Sequence, residues 1–236
     1  MWQKFLAWIL GGVGLISGVA PTPMPTKNVT QEVGEFEYAF FDTGKYDESN
    51  LIYNYEAKTA GRDLVANSEC KAAINGGFYD TANRPLGLVI VDGKQFFQNR
   101  PNKVFDGYVY KDRTGRMGIA ERPIYANMED VVQTGPMLMR DGVTVDLALT
   151  ENTGRRMVAV GLANDGLMFL AIFGRQSRLD GPALAQLPGL VQEIATQNKW
   201  DMTEAVNLDG GSASYFFDGK TTLTDWQPVG SLWCLK

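Results

Sequence analysis

Two stretches of the chain run from apolar residues into an amide side chain, paired glycines and a carboxylate: Ala72-Ala73-Ile74-Asn75-Gly76-Gly77-Phe78-Tyr79-Asp80 and Ala205-Val206-Asn207-Leu208-Asp209-Gly210-Gly211-Ser212-Ala213-Ser214. Paired glycines let a chain turn with positive φ and leave backbone N–H groups bare, a nest for an anion. Asn75 adds an uncharged donor and acceptor. Asp209, at a strand end beside such amides, suits proton transfer or metal ligation, and the Ser212 hydroxyl can donate to a phosphate or sugar oxygen. A plain turn explains either stretch alone, with Asp209 bonding its own backbone. Two of the same design in one chain point to a shared site. Thr134 offers a further hydroxyl beside the Gly135-Pro136 corner, and Arg155-Arg156 supplies two guanidinium groups of the kind that grip phosphate bidentately. A solvated strand entry is the plain reading of the arginine pair.

The chain of 236 residues contains no histidine. This excludes Ser-His-Asp and Cys-His machinery, imidazole metal sites and a histidine base, so proton transfer falls to carboxylates, Lys, Tyr or water. A net charge of −5 argues against a nucleic-acid partner, which asks for a basic face. Asp42-Thr43-Gly44 has the triplet used by aspartic proteases, but Asp209-Gly210-Gly211 lacks the hydroxyl a second copy would need.

The elements that must position these groups are mostly strands. β-rich composition falls at residues 35–42, 51–57, 71–74, 86–91, 108–111, 157–163, 167–173, 205–208 and 214–217. Asp-Gly pairs at Asp92-Gly93, Asp141-Gly142, Asp165-Gly166 and Asp218-Gly219 predict tight hairpin connections, that of 157–163 with 167–173 being the clearest. Leu184, Leu187, Val191, Ile194 and Ala195 share one helical face, with a kink or split expected at Pro188-Gly189. A short helix is expected over 62–68. Few strand–helix alternations occur, so the expected class is α+β: one β-rich domain with mixed or antiparallel sheets and a few helices.

Residues 1–20 read as a signal peptide or N-terminal membrane anchor. Their apolar run, residues 5–20, would span about 24 Å as a helix, short of a ~30 Å hydrocarbon core. A cleaved signal and an uncleaved anchor both fit, and either implies export, with membrane attachment through residues 5–20 in the second case. Pro21, Pro23 and Pro25 make residues 21–26 an extended spacer, and the folded domain is expected over 27–236. Cys70 and Cys234 are compatible with one disulfide in an oxidising compartment or with two buried thiols.

Taken in order, the motifs resemble the phosphodiester glycosidase family. The resemblance covers Ala72 to about Phe217: Ile74-Asn75-Gly76-Gly77-Phe78-Tyr79-Asp80, then Pro85-Leu86-Gly87-Leu88-Val89-Ile90 before Asp92-Gly93. Thr134-Gly135-Pro136-Met137-Leu138 follows before Asp141-Gly142, then Arg155-Arg156, and last Asn207-Leu208-Asp209-Gly210-Gly211-Ser212. Family members often carry an arginine where Met157 stands, so which of Arg155 and Arg156 faces the site is open. Ser212 replaces a third glycine of some relatives.

The resemblance implies hydrolysis at a sugar C1–O bond, releasing sugar and a phosphomonoester from a phosphorylated glycan or glycopolymer. A phosphate leaving group needs charge stabilisation from arginine and amides, and an oxocarbenium-like centre needs carboxylates. Asp209 is then the principal carboxylate and Asp80 the second. Asn75, Gly76, Gly77, Thr134, Gly135, Arg155, Arg156, Asn207, Gly210, Gly211 and Ser212 would bind substrate or phosphate. No cofactor is required. A Ca²⁺ ion at Asp80 is the alternative, since hard oxygen ligands suit it. A non-catalytic, lectin-like binder of envelope glycopolymers would use the same cradle, and an ordinary glycosidase would be indifferent to the phosphate.

Overall fold

The computed structural model describes residues 30–100, 102–123, 125–148, 153–163 and 166–236. The leader and spacer expected over 1–26 lie outside them. Along the described residues run β1 (Gln31–Val33), β2 (Phe36–Asp42), β3 (Ser49–Tyr53), α1 (Gly61–Asn67), β4 (Ala72–Asn75), β5 (Val89–Val91) and β6 (Lys94–Phe97). Then come β7 (Gly107–Asp112), β8 (Met117–Ala120), β9 (Met128–Thr134), β10 (Met137–Arg140) and β11 (Val143–Thr144). The last third holds β12 (Met157–Ala163), β13 (Gly166–Gly174), α2 (Leu187–Asn198), β14 (Met202–Asn207), β15 (Phe216–Phe217), β16 (Thr222–Leu223) and β17 (Ser231–Leu235).

The strands form three sheets: β1-β2-β13-β12-β14-β10-β11, β16-β15-β4-β17-β3 and β6-β5-β9-β7-β8. Their pairings are antiparallel. Together with the two helices this is the β-rich α+β architecture expected from composition.

Alternation along β12 and β13 explains why the first sheet is a wall with two cores. Val158 and Val160, with Phe169, Ala171 and Phe173, face a central core shared with Ile74 and Trp233 of the second sheet and Val109 and Val132 of the third. Met157 and Ala159, with Leu170 and Ile172, face Leu187, Val191, Ile194 and Ala195 of α2. Each large side chain so buried contributes roughly 1.5–3 kcal/mol. The helix therefore holds by its apolar stripe, as its spacing predicts.

Several expectations need correction. Pro188 falls in the first turn of α2, where its missing N–H costs no bond, so the helix neither kinks nor splits there; a 3-10 turn, Leu184–Gln186, leads into it. The strand expected over 51–57 stops at Tyr53. There Asn54 Nδ2 donates to the carbonyls of Val229 (2.7 Å) and Thr59 (2.8 Å) and turns the chain. Asp92-Gly93 and Asp141-Gly142 adopt positive φ at both positions, the mirror-image turn such pairs favour, and close β5–β6 and β10–β11. β12 and β13 pair from Met157↔Ile172 to Ala163↔Gly166, with Asn164 and Asp165 of their turn outside the described residues. Asp42 is no protease aspartate: its carboxylate accepts from Gly44 N–H (2.9 Å) and caps the 3-10 turn Thr43–Lys45.

Cys70 and Cys234 are joined in a disulfide, with Cα atoms 5.3 Å apart. The bond fastens β17 to the residues that enter β4.

Candidate active site

Three strand ends meet, one from each sheet. β4 ends at Asn75, β14 at Asn207, and the corner Thr134-Gly135-Pro136 passes from β9 to β10. Side-chain amides lock them together. Asn75 Nδ2 donates to the Asp209 carbonyl (2.7 Å), its Oδ1 accepts from Tyr215 N–H (2.9 Å), and Asp209 N–H donates to the Gly76 carbonyl (3.1 Å). Asn207 Nδ2 donates to the Gly135 carbonyl (3.0 Å), and Thr134 Oγ1 donates to the Asn207 carbonyl (2.7 Å). Asn75, Thr134 and Asn207 are all buried. The motif residues do converge, but these three buried side chains donate to backbone carbonyls of the three strand ends.

The glycines likewise differ from expectation. Gly76 and Gly77 do not have positive φ. Gly76 N–H donates to the Ser231 carbonyl (2.9 Å), and Gly211 N–H to the Arg156 carbonyl (2.8 Å), so neither amide belongs to an open anion nest. Gly77 is glycine because of close approach: a Cβ there would stand 2.6 Å from the Gln133 carbonyl oxygen. Gly211 alone of the two pairs needs left-handed backbone, at φ +67°.

What opens to solvent beside this brace is a cleft of about 450 Å³ lined by Tyr79, Asp80, Arg155, Asp209, Ser212 and Gln227, among others. Burial pushes the Asp209 carboxyl up to about 7, while the Gly210 backbone N–H and the Arg155 charge pull it back. At neutral pH it is shared between its two protonation states, the condition of an efficient proton-transfer group. Tyr79 borders it, its hydroxyl donating to the Pro228 carbonyl (2.8 Å) and raised to about 12 by burial and then by the Asp209 charge. The phenol therefore stays protonated.

The two arginines part company. Arg155 is exposed and lines the cleft, and among the described residues no acceptor is bonded to its guanidinium. Arg156 is 2% exposed. Its Nε donates to Ser214 Oγ (2.7 Å), and its Nη2 to the carbonyls of Ser214 (2.6 Å) and Thr224 (2.7 Å). Burial lowers it to about 10, leaving it charged at neutral pH. Of the pair, Arg155 is the one open to the cleft, and Arg156 holds the surrounding loops.

Asp80 borders the cleft, but its carboxylate is engaged. It accepts from the backbone N–H of Ala82 and Arg84 (2.9 Å each) and from Arg84 Nε (2.9 Å). The Arg84 backbone and side-chain bonds hold its pKa below the ordinary value, so it stays an anion and braces a turn. Among the described residues no group of three or more His, Cys, Asp or Glu side chains comes together. Ser212 lies at the rim, its Oγ donating to Gln227 Oε1 (3.2 Å).

Tyr79, Gln227 and Trp226 were not singled out from sequence. Tyr79 sits inside the first motif; the signal for Trp226 is a large aromatic residue in the polar turn Thr224-Asp225-Trp226-Gln227-Pro228.

Comparison with known proteins bears on the family and the fold. A family model described as phosphodiester glycosidase matches residues 68–235. The uncharacterized protein YigE of Escherichia coli (strain K12) is 35% identical over 92 residues, which are 34% of this chain and 35% of that protein; the match thus spans about a third of the relative's length. Among solved structures, the catalytic domain of zebrafish N-acetylglucosamine-1-phosphodiester alpha-N-acetylglucosaminidase, auto-inhibited by its pro-peptide, superposes with a TM-score of 0.61 at 15% identity over 87% of both chains. A hypothetical protein from Synechocystis gives 0.57 at 13% identity, covering 88% of this chain and 61% of that one. At such identities the structures attest the fold.

Proposed function

Because the chain belongs to the phosphodiester glycosidase family, and is on that ground a hydrolase of glycosyl phosphodiesters, we propose that it cleaves the sugar C1–O bond of a glycosyl-1-phosphodiester, releasing the sugar and a phosphomonoester. The observation that carries this reading is the pairing, in one cleft, of a carboxyl poised at about 7 with an exposed arginine whose charge acts on it.

In this reading the phosphate rests on Arg155, whose guanidinium neutralises the charge that grows on the leaving oxygen as the C1–O bond breaks. A phosphate departs readily as an anion, so little protonation is asked of the enzyme. Asp209 acts in its ionised form on the C1 side, stabilising the oxocarbenium-like centre and either attacking it or drawing a proton from water. Asn75 and the Gly76 carbonyl fix the backbone of Asp209 from both sides, which keeps the carboxylate at the cleft rather than buried in a collapsed loop. Asp80, Ser212 and Gln227 supply polar rim contacts for sugar hydroxyls.

Export belongs to the same proposal. It is supported by the Cys70–Cys234 disulfide, a bond that persists in oxidising compartments, and by the apolar run at residues 5–20. No helix among the described residues is long and apolar enough to cross a membrane, and residues 5–20 lie outside them.

The test is hydrolysis of N-acetylglucosamine-1-(methyl phosphodiester), followed by release of free sugar. Asp209→Asn should lose about 10²–10⁴ in kcat, and Arg155→Met should lose a similar factor in kcat/KM. A folded Asp209→Ala protein with undiminished turnover would overturn the assignment. Saturable binding by wild-type protein with no turnover would favour the glycopolymer-binding module.

A further inference from the structure

Arg155 and Ser212, which line the cleft, also line a second depression of about 300 Å³ together with Leu179, Gly211 and Trp226, and Asp209 does not border it. Trp226 is 71% exposed and Leu179 40%. Exposed large apolar side chains are ordinary when scattered, but a tryptophan and a leucine facing one depression beside a catalytic cleft form a patch with a use.

The backbone under the patch is firmly held. Trp226 N–H (2.8 Å) and Gln227 N–H (2.9 Å) both donate to the Ser212 carbonyl. Asp225 carboxylate oxygens accept from Gly61 N–H at the start of α1 (3.1 and 3.2 Å), and the Pro228 carbonyl accepts from Tyr79. Arg156 ties both walls to one point. It donates through Nη2 to the Thr224 carbonyl on the Trp226 side, and through its backbone N–H to the Leu179 carbonyl (3.0 Å) on the other. A loop anchored this heavily has the means to tuck its largest side chain inward, yet it presents the indole to water.

We propose that the Trp226–Leu179 shelf is the subsite for the group on the far side of the phosphate, and that it takes a saccharide ring stacked face-on against the indole. This rests on the reading of the cleft as a phosphodiester glycosidase site. A phosphodiester joins two groups through one phosphorus, so a residue that holds the phosphate must border both of their pockets, and Arg155 does so. Asp209 borders the cleft, where C1 of the released sugar belongs, and Trp226 and Leu179 border the second depression.

The chemistry of the shelf selects the ring. An indole offers a flat, polarisable face to the C–H groups of a pyranose, while Ser212 and Arg155 at the margin meet its hydroxyls. A volume of about 300 Å³ with a single aromatic wall accommodates one ring; a long acyl chain would need a continuous apolar groove.

Three diesters of N-acetylglucosamine 1-phosphate discriminate: one with O6 of methyl glucoside, one with methanol and one with dodecanol. Wild-type protein should show kcat/KM at least tenfold higher for the glucoside diester than for the methyl diester. Trp226→Ala should reduce that ratio about tenfold, mainly through KM, and Trp226→Phe should largely restore it. An unchanged ratio in Trp226→Ala overturns the shelf. An equal or larger loss on the dodecyl diester makes it an acyl groove and overturns the saccharide assignment. Calorimetric binding of the same diesters separates this proposal from the enzyme reading. If wild-type protein turns over none of them, hydrolysis fails, while tighter binding of the glucoside diester that vanishes in Trp226→Ala still upholds the shelf. Equal binding of the glucoside and methyl diesters overturns it.

Discussion

A cleft residue and its brace divide the labour at Asp209. The carboxyl is raised to about 7 because it is partly buried, and the raising is limited by the positive charge of Arg155 and the Gly210 N–H. The active form proposed is the ionised one, so kcat/KM should climb about tenfold per pH unit at low pH and level off above an apparent pKa near 7. The sign of the Arg155 contribution gives an independent check. Its charge favours the carboxylate, so Arg155→Met should move the limb to higher pH as well as lower the plateau. A pH–rate series on the methyl phosphodiester measures both. A limb that stays in place when Arg155 is removed would mean that another group titrates. Asn75 belongs to the brace: its amide holds the Asp209 carbonyl and the Tyr215 N–H across more than 130 residues of chain, a separation at which sequence spacing carries no information about partners.

At the level of elements, this contrast explains what could be read and what could not. The two Asn–Gly-Gly strand ends, the Thr134-Gly135-Pro136 corner and Asp209 were legible as members of one site because their residue types are unusual in strands and their order matches a family pattern. Their division into braces and exposed groups was not, since Arg155 and Arg156 are chemically identical and differ only in which way a strand entry turns them. Hairpins marked by Asp-Gly were legible, and so was α2. β10 and β17 escaped because they are buried or nearly buried on both faces, with no apolar–polar alternation to read. Lys111 and Asp130 escaped for a related reason: a charged residue on a strand reads as solvent-facing. Asp130 is fully buried, and its carboxylate accepts from Leu51 N–H (3.2 Å), Asp92 N–H (3.1 Å) and Lys111 Nζ (3.2 Å). Lys111 also donates to the Ser49 carbonyl (2.5 Å), so the pair ties β7 and β9 of the third sheet to β3 of the second. Lys111→Met should cost about 3–5 kcal/mol in urea unfolding, because it strands a buried carboxylate. Burial already raises Asp130. A raised carboxyl loses stability as pH rises, so the deficit should be largest at alkaline pH and shrink as Asp130 takes up a proton in acid. A deficit independent of pH would assign the loss to packing alone.

For the molecule as a whole, the organising fact is that three sheets converge at one end of β4 while a covalent bond secures the other. β4 and β17 pair from Leu232↔Asn75 at the site to Leu235↔Ala72, and the Cys70–Cys234 disulfide joins β17, one residue before that last pair, to the chain that enters β4. It joins residues 164 apart in sequence, so it restricts the unfolded chain severely while making no contact with the cleft. Replacing both cysteines by alanine should therefore reduce unfolding free energy by about 2–5 kcal/mol. It should also steepen the denaturant dependence, because the unfolded chain expands and exposes more surface. Turnover of the methyl phosphodiester by the folded variant should stay within about twofold of wild type, since Asn75, Gly76 and Asp209 are held by hydrogen bonds and strand pairing that the disulfide does not supply. Guanidinium unfolding and steady-state kinetics on the same preparation distinguish the outcomes. Stability unchanged to within about 1 kcal/mol would show that the three-sheet core already confines the C-terminal strand. A collapse of turnover in a folded variant would show that strain or register travels along β4 from the disulfide to Asp209, coupling the two ends that the geometry keeps apart.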